Sequence, residues 1–188
     1  MSRDYQEAFF GSYVNIPVSY LEPEASEQLI TRPTPDFPLN YHPEVVQRII
    51  YETHGQPLLI QRICQELVNH LNHELFDLEK QRDARVLPGD LDAVLSDKFV
   101  LSETRYFDGI WNDQIRDRPA EKVVMQKLAA GRATTVELSR STGLHLAEVE
   151  SALEYLKRRE QVEQDAQGQW DLVMPLMRRW LSLRGTSV

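Results

Sequence analysis

Few residues in this chain have types and spacing that suit chemistry, and their pattern excludes more reactions than it allows. Cys64 stands on the same apolar stripe as Ile60, Leu67 and Leu71, where a thiol packs rather than attacks. No serine is framed as G-x-S-x-G, so an esterase elbow is absent. His70 and His73 lie one turn apart, with Glu66 and Glu74 near, but no third ligand follows at zinc spacing. That cluster reads as a solvated helix face, and no metal is expected. None of the eight glycines is followed by lysine, so no G-x-x-x-x-G-K-[ST] loop cradles a phosphate, and no G-x-G-x-x-G follows a strand. Nucleophile, base and oxyanion donors cannot be assembled from these residues, and the chain is expected not to be an enzyme by itself.

Two groups remain. The run Tyr51-Glu52-Thr53-His54-Gly55-Gln56-Pro57-Leu58-Leu59-Ile60-Gln61 is a helix, a glycine stop, one linking residue and a proline start. Gly55, Gln56 and Pro57 therefore make a sharp helix-to-helix corner with little freedom, presenting a proline ring and backbone groups to a flat partner such as a purine. Lys157, Arg158 and Arg159, with Arg178 and Arg179, supply positive charge near helix ends. There it meets the helix dipole, or, in a DNA-binding alternative, phosphates. A helix-turn-helix reader needs Arg, Lys, Asn or Gln at the start of its third helix. This chain offers His145, Ala147, Glu148 and Glu150 there, so duplex binding is not favoured.

The elements that must position these residues follow from periodicity and punctuation. Pro17, Pro23, Pro33, Pro35 and Pro38 crowd the first forty residues, leaving room for an edge strand at Tyr13–Val18 and a short helix from Pro23 to about Thr31. Pro43 starts a helix with Val45, Val46, Ile49 and Ile50 on one face. Pro57 starts the most strongly periodic one, through Leu59, Ile60, Ile63, Leu67, Leu71 and Leu75. Leu87-Pro88-Gly89-Asp90 caps a helix carrying Leu91, Val94 and Leu95, and another runs through Tyr106, Phe107, Ile110, Trp111 and Ile115. Beyond Pro119 three helices are expected, around Val123–Leu128, Thr134–Thr142 and Leu146–Arg159. A hairpin follows between Gln161–Gln164 and Trp170–Val173, then a last helix at Pro175–Leu183. The fold class is thus mainly α: a small helical bundle followed by three helices and a β-hairpin, the winged-helix order.

Composition agrees. The 188 residues are 41% hydrophobic and 27% charged, within ordinary globular usage. Apolar runs such as Leu58-Leu59-Ile60 are far too short for a membrane span, and the chain carries one cysteine. A cytoplasmic protein without membrane contact is expected. The net charge is −8, unevenly spread: residues 1–117 hold ten Lys/Arg against twenty Asp/Glu, and residues 118–188 eleven against nine. The change at Arg118-Pro119 marks the expected domain boundary.

The run from Ile16 to Leu29, then Leu39-Asn40-Tyr41 through the Gly55-Gln56-Pro57 corner and Leu58-Leu59-Ile60-Gln61 to Cys64 and Leu71, resembles the lid subdomain of STAND signal-transduction ATPases within the AAA+ class, whose usual corner is Gly-x-Pro. The stretch from Tyr106-Phe107 and Trp111 to Arg178-Arg179-Trp180-Leu181 is similar to the winged-helix domain that follows that lid, so the resemblance spans residues 14–183. It implies that residues 1–20 are the remnant of a preceding P-loop domain, 21–117 a lid-like domain and 118–188 a winged helix. It also implies that ATP or ADP is held only together with that P-loop domain, with Pro57 beside adenine. The chain departs from the family in two places: His54-Gly55 replaces a frequent Gly-Gly, and Leu58 stands where origin-recognition ATPases, a neighbouring group, carry a sensor arginine. In some relatives a winged-helix histidine reaches the diphosphate; His145 is the only histidine of this half, and no local motif gives it that role. The function so implied is a non-catalytic regulatory module of a nucleotide-dependent switch, whose partners are the upstream P-loop ATPase domain and other proteins. The alternative is a DNA-binding winged-helix transcriptional regulator using Lys157, Arg158 and Arg159.

Overall fold

Prolines open six of the ten helices that a computed structural model describes over residues 20–185, each in the first turn, where the missing N–H breaks no helical bond. The strand expected at Tyr13–Val18 lies outside the described residues. Helix α1 (Pro23–Thr31) leads to a two-residue strand β1 (Asn40–Tyr41), then α2 (Pro43–Thr53) and α3 (Pro57–Asn72). A π-helical turn at His73–Asp77 ends α3, and strand β2 (Arg85–Val86) returns to pair in parallel with β1. Helices α4 (Pro88–Val94), α5 (Asp97–Ser102) and α6 (Thr104–Asp108) complete the bundle.

One expected helix is divided. The stretch through Tyr106 and Ile115 is α6 followed by a π-helical segment at Gly109–Gln114. The wider turn keeps Phe107, Ile110, Trp111 and Ile115 all buried.

The second half has helices α7 (Pro119–Ala130), α8 (Thr135–Thr142) and α9 (Leu146–Arg158), then strands β4 (Val162–Gln164) and β5 (Gln169–Leu172). The hairpin is joined by β3 (Ala133–Thr134), giving an antiparallel sheet in the order β3-β5-β4 with β4 at its edge. Thr134 begins α8 with a reciprocal cap: its Oγ1 accepts from the Glu137 N–H at 3.3 Å, and the Glu137 carboxylate accepts from the Thr134 N–H at 2.7 Å. The mainly helical architecture read from the sequence, a bundle followed by three helices and a hairpin, is the one observed. None of the helices among the described residues is long and apolar enough to cross a membrane.

Helix α10 (Pro175–Gly185) ties the halves together. Its Leu176, Met177, Trp180 and Leu181 are buried in a hydrophobic core that runs without a break through both halves. Trp180 stacks on Phe107 at 5.5 Å and meets Trp111 edge-on at 6.2 Å. Arg179 bonds the Asp97 carboxylate and the Leu95 carbonyl, Arg184 reaches Asp108 at 2.7 Å, and Arg178 turns the other way to the Leu128 carbonyl and Asp171.

Candidate functional site

The corner is built from two consecutive left-handed residues. His54 has φ of 49° and Gly55 φ of 73°, and the Gly55 N–H donates to the Ile50 carbonyl at 3.3 Å, closing α2 with a wide Schellman-type bond. Only glycine fits the second position. A Cβ on Gly55 would lie 2.3 Å from the Leu21 carbonyl oxygen, because the Leu21 N–H donates to the Gly55 carbonyl at 2.9 Å and draws that strand of chain onto the corner. Gln56 caps α3: its Oε1 accepts from the Leu58 N–H at 3.3 Å while its Nε2 donates to the Tyr106 hydroxyl at 3.1 Å. Pro57 occupies the first turn of α3, half-buried, next to the exposed Leu58. The corner is therefore held from behind by Leu21 and Tyr106 and keeps one face open.

Tyr20 connects this corner to the second half of the molecule. Its ring meets His54 edge-on at 4.9 Å, and its hydroxyl donates to the Glu160 carbonyl at 3.3 Å. Burial, with the nearby Tyr106, pushes that hydroxyl well above the ordinary tyrosine range, so it remains a donor at neutral pH. A cavity lies on either side of Tyr20. The larger, about 530 Å³, is walled by Leu21, Ile50, Tyr51, His54 and Gly55 from the bundle and by Lys157, Val162, Glu163 and Val173 from the hairpin half. The smaller, about 460 Å³, has Gln56, Tyr106 and the π-helical segment on one side and Arg159 and Gln161 on the other.

The residues singled out by sequence thus converge in part. Gly55 and Lys157 line the larger cavity, Gln56 and Arg159 the smaller, and Pro57 lies on the open face between neighbours that line both. Lys157 stands 5.8 Å from the Trp170 ring centre, and the Arg159 guanidinium lies 5.0 Å from that of Tyr155. Arg158 is exposed at the end of α9 and lines neither of these cavities. His145 is exposed at the N-cap of α9, where its backbone N–H donates to Glu148 at 2.9 Å.

Electrostatics limits what the larger cavity can hold. Glu22, Glu160 and Glu163 border it against one lysine, Lys157, so it does not favour a phosphate. At the corner itself the Gly55 N–H and carbonyl and both ends of the Gln56 amide are already engaged within the fold, and the neutral group left there is the half-buried Pro57 ring.

The histidine cluster has a different use. His70, Glu74 and Asp90 place ligand-type atoms within 4.8 Å of one another. Arg82 fills that space, donating to Glu74 at 2.7 Å and to both oxygens of Asp90 at 2.7 Å, while Lys80 reaches Glu74 at 2.6 Å. Burial raises the Asp90 carboxyl, but Arg82 and the Leu87 N–H outweigh it and hold the group below the usual carboxylate range. This is an ion network joining the π-helical turn to α4, and a cation there has to displace a guanidinium. Cys64 is a half-buried packing thiol pushed up to about 11 by burial.

Sequence reasoning missed Tyr20, which reaches Glu160 and Gln161 and so couples the corner to the second half across some 140 positions, and Tyr106, which holds Gln56 across 50 positions within the bundle. No local spacing announces such contacts. The chain matches no protein-family model and no curated protein.

Proposed function

We propose that this chain is a non-catalytic regulatory module of a nucleotide-dependent switch, of the STAND or AAA+ lid and winged-helix kind, which closes on ATP or ADP held by an upstream P-loop domain. The observation that carries the reading is the corner: Gly55, Gln56 and Pro57 are fixed from behind by Leu21 and Tyr106, yet Pro57 and the neighbouring Leu58 remain accessible. Adenine needs a preorganised, neutral, partly apolar surface of this type, and the phosphates fall to the upstream domain. Closure is relayed through Tyr20, whose ring touches the corner and whose hydroxyl touches the end of α9.

The test joins this chain to the P-loop domain that the reading requires and measures ADP release by stopped flow. Pro57→Ala is expected to speed release about five- to tenfold, corresponding to the loss of roughly 1 kcal/mol of apolar contact. Unchanged release would remove the corner from the site. The chain alone is expected to hydrolyse no ATP.

The alternative, a DNA-binding winged-helix regulator, draws on the exposed Lys157, Arg158 and Arg159. It has less support, because α9 also exposes Glu148, Glu150 and Glu154. Duplex affinity at low salt that falls on Arg158→Ala would favour it.

A further inference from the structure

Left-handed backbone is rare outside glycine, and among the described residues three non-glycine positions adopt it: His54 with φ of 49°, Glu79 with φ of 50° and Glu160 with φ of 56°. Tyr20 touches two of the three. Its ring meets His54 edge-on at 4.9 Å, and its hydroxyl donates to the Glu160 carbonyl at 3.3 Å. Both positions close a helix in the same way, one in each half. In α2 the His54 N–H donates to the Tyr51 carbonyl and the Gly55 N–H to that of Ile50, each at 3.3 Å. In α9 the Glu160 N–H donates to the Lys157 carbonyl at 2.9 Å and the Gln161 N–H to that of Leu156 at 3.0 Å. These are the paired bonds of a Schellman ending, which ordinarily seats glycine where His54 and Glu160 stand. Leu21, next to Tyr20, is fixed on both sides: its N–H donates to the Gly55 carbonyl at 2.9 Å, and its own carbonyl accepts from Ser26 Oγ at 3.4 Å. Tyr20 and Glu160 both border the larger and the smaller cavity, so their contact is a partition between the two.

A strained turn persists only where its surroundings hold it, and Tyr20 is the holder that these two share. We propose that Tyr20 is a conformational latch between the halves. In place, it clips the ends of α2 and α9 together; swung out, it frees both turns at once and joins the two cavities into one cleft. Leu21 is the fixed pivot, so the moving part is a single side chain. The core that α10 makes continuous stays intact throughout, and release loosens the junction without parting the halves. The latch rests on the relay proposed above for its use, and on the geometry of this chain alone for its existence.

The test follows backbone amide exchange by nuclear magnetic resonance in the full chain without nucleotide. Tyr20→Phe removes the hydroxyl and keeps the ring. The Gly55 and Gln161 amides are then expected to exchange faster by one common factor, about five- to tenfold for the loss of one hydrogen bond, although the hydroxyl touches only the α9 side. Adding Glu160→Gly relieves the α9 turn and keeps its carbonyl. In that double variant Gln161 is expected to return to the parent rate while Gly55 stays fast. Faster exchange at Gln161 alone, or at neither amide, would overturn the proposal. So would a rise matched at the core amide of Leu67, which is general destabilisation, or a Gln161 amide that Glu160→Gly leaves fast. No nucleotide enters the measurement, so its failure leaves the Pro57→Ala test standing, and failure of that test leaves the latch.

Discussion

At the scale of single residues, Gly55 carries the sharpest structural demand. Its φ of 73° and the 2.3 Å approach of a Cβ to the Leu21 carbonyl act together, and backbone cannot yield as a long side chain can. Gly55→Ala is expected to destabilise the fold by about 2 kcal/mol or more, read as a lower urea midpoint with unchanged slope. Cys64 gives a second expectation. With its thiol pushed up to about 11, it stays protonated at neutral pH and should react with a disulfide reagent more than about tenfold slower than free cysteine. The unfolded thiol loses its proton near pH 9, before the folded one does, so its contribution to stability is intact below pH 9 and lost as pH rises from there to about 11. The glycine stop was legible in the sequence, because helix, glycine and proline follow one another. The Leu21 contact that makes glycine obligatory was not, since it joins positions 34 residues apart and leaves no periodic trace.

At the scale of elements, helix starts were readable because proline and capping residues act locally, whereas pairings between distant segments were not. The parallel contact of β1 with β2 joins Asn40 to Arg85 and Tyr41 to Val86, and β3 adds to a hairpin that itself was foreseeable. Two residues are too few for an alternating pattern to register. The ion network at the end of α3 shows the same limit. By spacing alone His70, His73, Glu66 and Glu74 read as a solvated helix face, whereas Arg82 and Asp90 draw His70 and Glu74 into a half-buried brace between the π-helical turn and α4. Arg82→Met is expected to cost about 1–2 kcal/mol at pH 7, because it strands the buried Asp90 carboxylate. Asp90 contributes stability that is complete above the ordinary carboxyl range, near pH 4, and is lost as pH falls through its lowered folded value. Denaturation curves of the parent and Arg82→Met chains should therefore converge in acid.

At the scale of the whole molecule, α10 makes the core continuous. Trp180 is buried between Phe107 and Trp111 of the bundle, while Arg178 holds the Leu128 carbonyl at the end of α7. Trp180→Ala is expected to cost about 3–5 kcal/mol, with near-ultraviolet circular dichroism lost from the bundle aromatics as well as from the second half. Were the halves independent, only one set of signals would move. The division by charge near Arg118 follows composition, whereas the packing of α10 depends on which side chains meet across some 70 to 80 positions, and composition is blind to that. The same arrangement bears on synthesis. A ribosome that has delivered the chain as far as Leu172 still withholds the indole that covers Phe107 and Trp111, so nascent protein must carry an uncovered aromatic face, a natural point of hold for a chaperone, until the last helix emerges.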